Sequence, residues 1–257
     1  MGRMFKFTGI AEEIEWKPTD IGGCILWLRS DLGVTKDAEN RISEGLDQGG
    51  NNHHATQPTD SRKFVYTESI FGSLPGWYSD GADDLMDVAD LFNHLSGSDI
   101  PYTYYFIGKW LEDWGTSFLS PLGFFSPNWA TRIYNNLRPS ETLGGLSRTD
   151  DAGNNILLSP PFTPNTNPFL WAIYFSGTTI TAKFNATTIQ DEGAMNVGTL
   201  TLATAVLGAF GFGSAGWNDN FFKGYHAEHV MYDTNLLGSA DDTAFRAYIN
   251  TRYGITV

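Results

Sequence analysis

A chain of 257 residues, 41% hydrophobic and 14% aromatic, holds enough apolar material for one large core or two small ones. Its formal charge of −13, from 29 acidic against 16 basic residues, comes without the Lys/Arg cluster that displaces counterions from a duplex, which argues against a nucleic-acid partner. One cysteine rules out an intrachain disulfide, and no run approaches the roughly 18 apolar residues of a membrane span.

Residues 1–17 read as an arm. They mix Arg3, Lys6 and Lys17 with Glu12, Glu13 and Glu15, and carry isolated aromatics at Phe5, Phe7 and Trp16. Two readings stand: a tail or stray edge strand, or an anchor that pairs with a neighbouring subunit. The segment has no apolar core and no small-residue cleavage site, so it is not a secretory signal, and Lys6 stands where myristoylation wants Ser or Thr. The expectation is a protein made in a cytoplasm and not exported by the standard route.

From Pro18 to Val257 the chain reads as one domain. Twenty-eight dispersed glycines and 11 prolines punctuate many short elements, which favours a sandwich or barrel over a helical protein. The apolar run CILWLR at 24–29 is the first core strand, and Cys24 within it reads as a buried, inert thiol. Further strands are expected at 63–67, 76–79, 101–110, 129–135, 205–213 and 222–232. The run FLWAIYFS at 169–176 is almost continuously apolar, as a strand covered on both faces should be. With 180–185 it forms a hairpin. Residues 147–167, rich in Asp, Asn, Pro and Thr, are expected to be a long surface loop.

Two helices are expected. A short one covers 88–95, VADLFNHL. The C-terminal one has Ser239 as N-cap, Asp242 three residues on to close a capping box, an apolar stripe of Phe245, Tyr248, Ile249 and Tyr253, and Gly254 as left-handed C-cap. Asp241 and Asp242 suit the positive end of its dipole.

Three stretches carry a family signature. LDQGGNNHHATQ at 46–57 follows the LWL-type strand, and Ser79-Asp80-Gly81-Ala82-Asp83-Asp84 forms a second Asp-rich turn. Near the end, Gly224-Tyr225-His226-Ala227-Glu228 leads to Tyr232-Asp233 and then the helix ending RYGI. In this order the set resembles laminin-G-like, concanavalin A-like jelly-roll domains of the phage and bacterial type. The hairpin turn Lys183-Phe184-Asn185-Ala186 is similar to the family's Y-x-N-G turn. The resemblance covers about residues 18–257 and implies an all-β antiparallel sandwich with a C-terminal helix.

It also implies candidate chemistry. Members often hold calcium with loop Asp and Asn oxygens, which here points to Asp47 and Asn51 in the first turn and to Asp80, Asp83 and Asp84 in the second. The competing reading is that these side chains cap their own turns. Glycan binding is a common use of the fold, through aromatics in loops. The candidates are Trp114 in WLEDW (110–114), and Trp217, Asn218 and Asp219 in AGWNDN (215–220).

Catalysis is weakly supported. Retaining glucanases on this scaffold place two carboxylates about 5 Å apart from an E-x-D-x-E strand, and that pattern is absent. The nearest approach is His226 and Glu228, which alternation would place on one strand face; the plain reading makes His226 and His229 partly exposed, hydrogen-bonded strand residues. The G-x-S-x-G, Walker and H-E-x-x-H motifs are also absent. Three functions follow: a phage virion structural protein contacting neighbouring subunits and host-surface glycans as an oligomer, a stand-alone bacterial glycan-binding module, or an atypical glycan-cleaving enzyme.

Overall fold

A computed structural model describes residues 16–98, 100–111, 120–126, 132–138, 143–152, 155–157, 166–176, 179–192, 198–209 and 221–257. Two antiparallel sheets face each other. The eight-stranded sheet runs Thr187–Glu192, Ile180–Phe184, Phe169–Phe175, Tyr102–Trp110, Lys223–Tyr232, Leu74–Asp80, Val65–Phe71. Its eighth strand, Cys24–Arg29, also pairs with Lys223–Tyr232. The nine-stranded sheet runs Asn155–Leu157, Leu143–Thr149, Arg132–Arg138, Leu122–Phe125, Thr204–Leu207, Met86–Val88, Ala55–Thr56, Ile42–Gly45, Val34–Lys36.

Lys223–Tyr232 is the spine of the larger sheet. One edge pairs with Tyr102–Trp110 along its length. The other edge takes two strands end to end, Leu74–Asp80 at its first half and Cys24–Arg29 at its second. The main core lies between the sheets, where Leu26, Trp77, Tyr104, Phe106, Phe169 and Trp171 meet Ile42, Met86, Leu122, Phe124 and Leu207.

A second apolar layer lies on the outside of the larger sheet, beneath the C-terminal helix Ala240–Tyr253. Phe245 and Ile249 are fully buried there, each contributing roughly 2–3 kcal/mol by leaving water. Phe245 stacks on Tyr105 with ring centroids 4.0 Å apart. This layer explains why every residue of Phe169–Phe175 is buried: Trp171 and Ile173 face the inner core, while Leu170, Ala172 and Tyr174 face the helix layer. Cys24 is half-buried, and burial, reinforced by the Asp47 charge, pushes its thiol up to about 12, which keeps it unreactive.

The helix caps follow their sequence signals in part. Ser239 Oγ accepts the Asp242 N–H at 3.0 Å, and Gly254 ends the helix at φ 67°. The Asp242 carboxylate does not return to Ser239. It accepts from Tyr105 Oη at 2.8 Å, Tyr174 Oη at 2.7 Å and Arg246 Nε at 3.0 Å, which bolts the helix start to the sheet. Arg246 also donates to the carbonyl of Asn185, the left-handed residue (φ 52°) of the 180–185 hairpin's return turn.

Two expectations are corrected. Residues 88–95 are not an α-helix: Val88 ends a strand, Asp90 adopts a left-handed φ of 56°, and only the 3-10 turn Leu91–His94 follows. A left-handed residue at that point stops helix nucleation, while buried Leu91 and Leu95 anchor the turn. Residues 147–167 are not one loop, since they contain the end of strand Leu143–Thr149 and strand Asn155–Leu157. Their Asp-rich composition belongs to the connection, where Asp150 Oδ1 accepts the Ala152 N–H at 3.0 Å.

Candidate functional site

His226 and Glu228, the nearest approach to an acid/base pair, are separated on Lys223–Tyr232 by a bulge. His226 pairs with Gly108 and Glu228 with the adjacent Ile107, so the register slips at Ala227. The Ala227 carbonyl is taken instead by the Ser30 N–H at 2.8 Å. One extra residue reverses the side-chain alternation beyond it. His226 and His229 therefore both point into the core between the sheets, and Glu228 points out beneath the helix.

Both histidines are sealed, with relative exposures of 0% and 1%, which corrects the expectation of partly exposed strand residues. They form a chain in which each proton has a place. Ser79 Oγ donates to the Phe222 carbonyl at 2.8 Å, so it accepts from His226 Nε2 at 3.1 Å. His226 Nδ1 then accepts from His229 Nε2 at 3.0 Å, and His229 Nδ1 accepts from Tyr104 Oη at 2.8 Å. This assignment keeps both rings neutral and every polar atom paired. Burial, joined by the neighbouring His229, holds His226 well below the usual imidazole range, and burial alone takes His229 to about 3.

Glu228, 0% exposed, is equally committed. Its Oε1 accepts from Tyr248 Oη and Tyr253 Oη, both at 2.6 Å, and pairs with Arg252 Nε at 2.9 Å. Its Oε2 accepts from Trp27 Nε1 at 3.2 Å. Arg252 continues to Asp31, which also binds Arg29. Burial raises the Glu228 carboxyl, against the pull of the two tyrosine hydroxyls and Arg252. Every bond of this group goes to the helix or the sheet beneath it, so Glu228 fastens the helix.

The first Asp turn is a scaffold. Asp47 Oδ1 accepts the N–H groups of Trp27 (2.9 Å) and Gly49 (2.8 Å), and Oδ2 those of Asn51 (3.0 Å) and His53 (3.3 Å). Asn51 Nδ2 donates to the Cys24 carbonyl at 2.9 Å. Four N–H dipoles present their positive ends to the carboxylate, an arrangement unsuited to a cation. Asp47 and Asn51 thus order the loop and do not fit the calcium expected there.

The second turn is different. One carboxylate oxygen from each of Asp80, Asp83 and Asp84 lies within 4.8 Å of the others. Asp84 Oδ2 accepts the Asp80 N–H at 2.9 Å, Asp80 Oδ1 accepts the Ala82 N–H at 2.7 Å, and Asp83 Oδ2 lies 4.0 Å from Arg62 Nε. Burial, then the charges of Asp80 and Asp83, push the Asp84 carboxyl up to about 7. The donors suit calcium, which would need further oxygens from carbonyls or water to reach six to eight.

Trp114, Trp217, Asn218 and Asp219, the expected glycan contacts, lie outside the described residues. A pair that the sequence pattern does not announce lies within them. On the outer face of the larger sheet, beyond the area under the helix, Val65, Tyr78, Tyr225 and Lys109 form one in-register row across four strands. Tyr78 and Tyr225 are half-exposed, with ring centroids 5.4 Å apart and planes tilted by 45°. Tyr225 lies over Gly76, where an added Cβ would fall 3.2 Å from the Tyr225 Cβ. Among the described residues neither hydroxyl has a hydrogen-bond partner and the Lys109 ammonium has no ion pair. Burial and then Asp80 raise the Tyr78 hydroxyl, keeping it a donor. Alternation along Leu74–Asp80 gives the signal in hindsight: Trp77 faces in, so Tyr78 must face out.

No family model and no curated protein matches the sequence. Solved structures do match. Domain 4 of an extracellular GH43 arabinanase from Geobacillus stearothermophilus, in complex with arabinotriose, aligns at TM-score 0.57 and 13% identity, over 90% of this chain and 98% of that one. The receptor-binding domain of botulinum neurotoxin C/D mosaic serotype aligns at 0.62 and 12% identity, over 93% of this chain and 55% of that one. Trypanosoma rangeli sialidase in complex with sialic acid aligns at 0.60 and 7% identity, over 90% of this chain and 33% of that one. At these identities the likeness shows the fold, an antiparallel β-sandwich shared with domains of glycan-handling and receptor-binding proteins.

Proposed function

We propose that this chain is a non-catalytic glycan-binding β-sandwich, displayed on a phage virion. The observation that carries the binding reading is the Tyr78–Tyr225 pair. The C–H face of a sugar ring is apolar and stacks on an aromatic face, while its hydroxyls seek unpaired donors and acceptors. A half-exposed tyrosine pair whose hydroxyls, like the neighbouring Lys109 ammonium, have no partner among the described residues offers both. The ligands named for the neighbours, arabinotriose and sialic acid, support the same reading. Calcium at Asp80, Asp83 and Asp84, next to Tyr78 in sequence, belongs to it as a stabiliser of the adjoining turn. The commitment of Glu228 and His226 to packing supports binding over cleavage.

The virion part rests on the phage-type motif series and on the arm. Trp16, which follows residues 1–15 in sequence, packs on Tyr248 (5.3 Å) and Phe245 (6.3 Å) of the C-terminal helix. Homo-oligomeric contacts through that segment are part of the proposal. A glycan array run with and without chelator tests binding and calcium together. Comparison with Trp217→Ala separates the loop from the sheet face. Mass spectrometry of purified phage particles tests the location; absence of the chain from particles leaves a free-standing bacterial glycan-binding module. Deleting residues 1–15, which spares Trp16, should abolish assembly and leave the domain folded.

A further inference from the structure

The two adjacent histidines of the opening turn separate in the fold. His54 Nδ1 accepts the Asp47 N–H at 3.0 Å and so helps shape the loop. His53 turns inward, 6% exposed. Its Nδ1 lies 2.7 Å from the Ala89 carbonyl oxygen, which can only accept, so Nδ1 carries the proton and Nε2 the lone pair. That lone pair faces His94 Nε2 at 3.0 Å, with ring planes at 88° and centroids 5.0 Å apart. His94 is half-buried on the 3-10 turn Leu91–His94.

We propose that His53 and His94 form a two-imidazole site for a borderline divalent transition metal such as Zn2+, Cu2+ or Ni2+. Three features carry this. Two nitrogens bound tetrahedrally at about 2.0–2.1 Å stand roughly 3.3 Å apart, so the observed spacing needs only a small opening. The Ala89 carbonyl behind His53 fixes its tautomer and aims Nε2, the outer support that metal-bound imidazoles regularly have. Imidazole suits these metals, whereas calcium takes oxygen, which makes this site independent of the acidic turn.

The proton count closes. Without metal, His94 donates its Nε2 proton to His53. With metal, both Nε2 lone pairs bind the ion, the His94 proton moves to Nδ1, and no net proton is released. Burial, then the neighbouring His53, lower the His94 pKa and favour the neutral ring that a metal requires, while the charge of Asp233 acts on His94 in the opposite sense and offsets part of the added positive charge. Water completes the coordination. The ion joins two loop segments 41 residues apart in sequence.

The test uses the full chain without an affinity tag, titrated with ZnCl2 in thermal unfolding and with CuCl2 in visible absorption. Wild type and Asp84→Asn should both show a Tm that rises and saturates, and one Cu2+ per chain with nitrogen ligation. His94→Gln, a half-buried position, should lose both signals while keeping its metal-free Tm close to wild type. No saturable shift in wild type overturns the site, and so does an equal shift in His94→Gln. His53→Gln serves as a second variant with the same expected loss.

Discussion

His226 Nδ1 and His229 Nε2 stand 3.0 Å apart on the same face of one strand, although unbroken alternation sets residues three apart on opposite faces. The bulge at Ala227 produces that relationship. It moves the second imidazole into the core and releases Glu228 to the helix side, so one inserted residue determines the chemistry of both faces.

The histidine pair predicts acid sensitivity. Folded pKa values below the ordinary imidazole value of about 6.5 mean that the unfolded chain takes up protons the folded chain refuses. Stability is therefore complete above pH ~6.5 and falls as pH drops, towards about 3 for His229. The slope is up to about 1.4 kcal/mol per pH unit for each ring. Urea unfolding between pH 7 and 5, above most carboxylate titrations, should show it. The double variant His226→Leu/His229→Leu should start less stable, with the Tyr104 hydroxyl left without its His229 acceptor, but with a flatter slope.

Glu228→Gln should cost roughly 3 kcal/mol, because Arg252 keeps its burial and loses one of its two countercharges, while the other, Asp31, is shared with Arg29. The loss should appear in denaturant unfolding. Glycan binding by the folded fraction should be unchanged, since Glu228 is enclosed under the helix; a catalytic Glu228 would instead abolish glycan cleavage with little change in stability.

Asp84→Asn should stabilise the protein at pH 8 by about 1 kcal/mol after allowing for solvent screening. The folded pKa of about 7 lies above the ordinary 3.8, so the penalty on the charged form is absent below about pH 4 and grows as pH rises through 7. The variant's advantage should therefore vanish near pH 4. Calcium should raise the Tm of wild type and not that of the variant.

Much of this was legible in the chain. The all-apolar 169–176 run marked a strand buried on both faces, and Ser239 and Gly254 marked the helix ends, because local backbone chemistry decides those features. The bulge at Ala227 was not legible, since it depends on a carbonyl captured by Ser30, just past the strand Cys24–Arg29 near the other end of the chain. Tertiary partners likewise redirected Asp242 from the capping box to Tyr105 and Tyr174. Asp90 adopts a left-handed φ that VADLFNHL does not announce. The Tyr78–Tyr225 pair was hidden because the two residues meet only through strand register, and tyrosines in strands ordinarily read as packing.

The open face of the larger sheet is the proposed sugar site. Isothermal titration of wild type and Tyr78→Ala/Tyr225→Ala with an array-positive oligosaccharide tests it most directly. At least a tenfold loss of affinity is expected in the double variant, with an unfolding midpoint within a few degrees of wild type. Unchanged affinity in that variant, or a wild type that binds no saccharide, would contradict it.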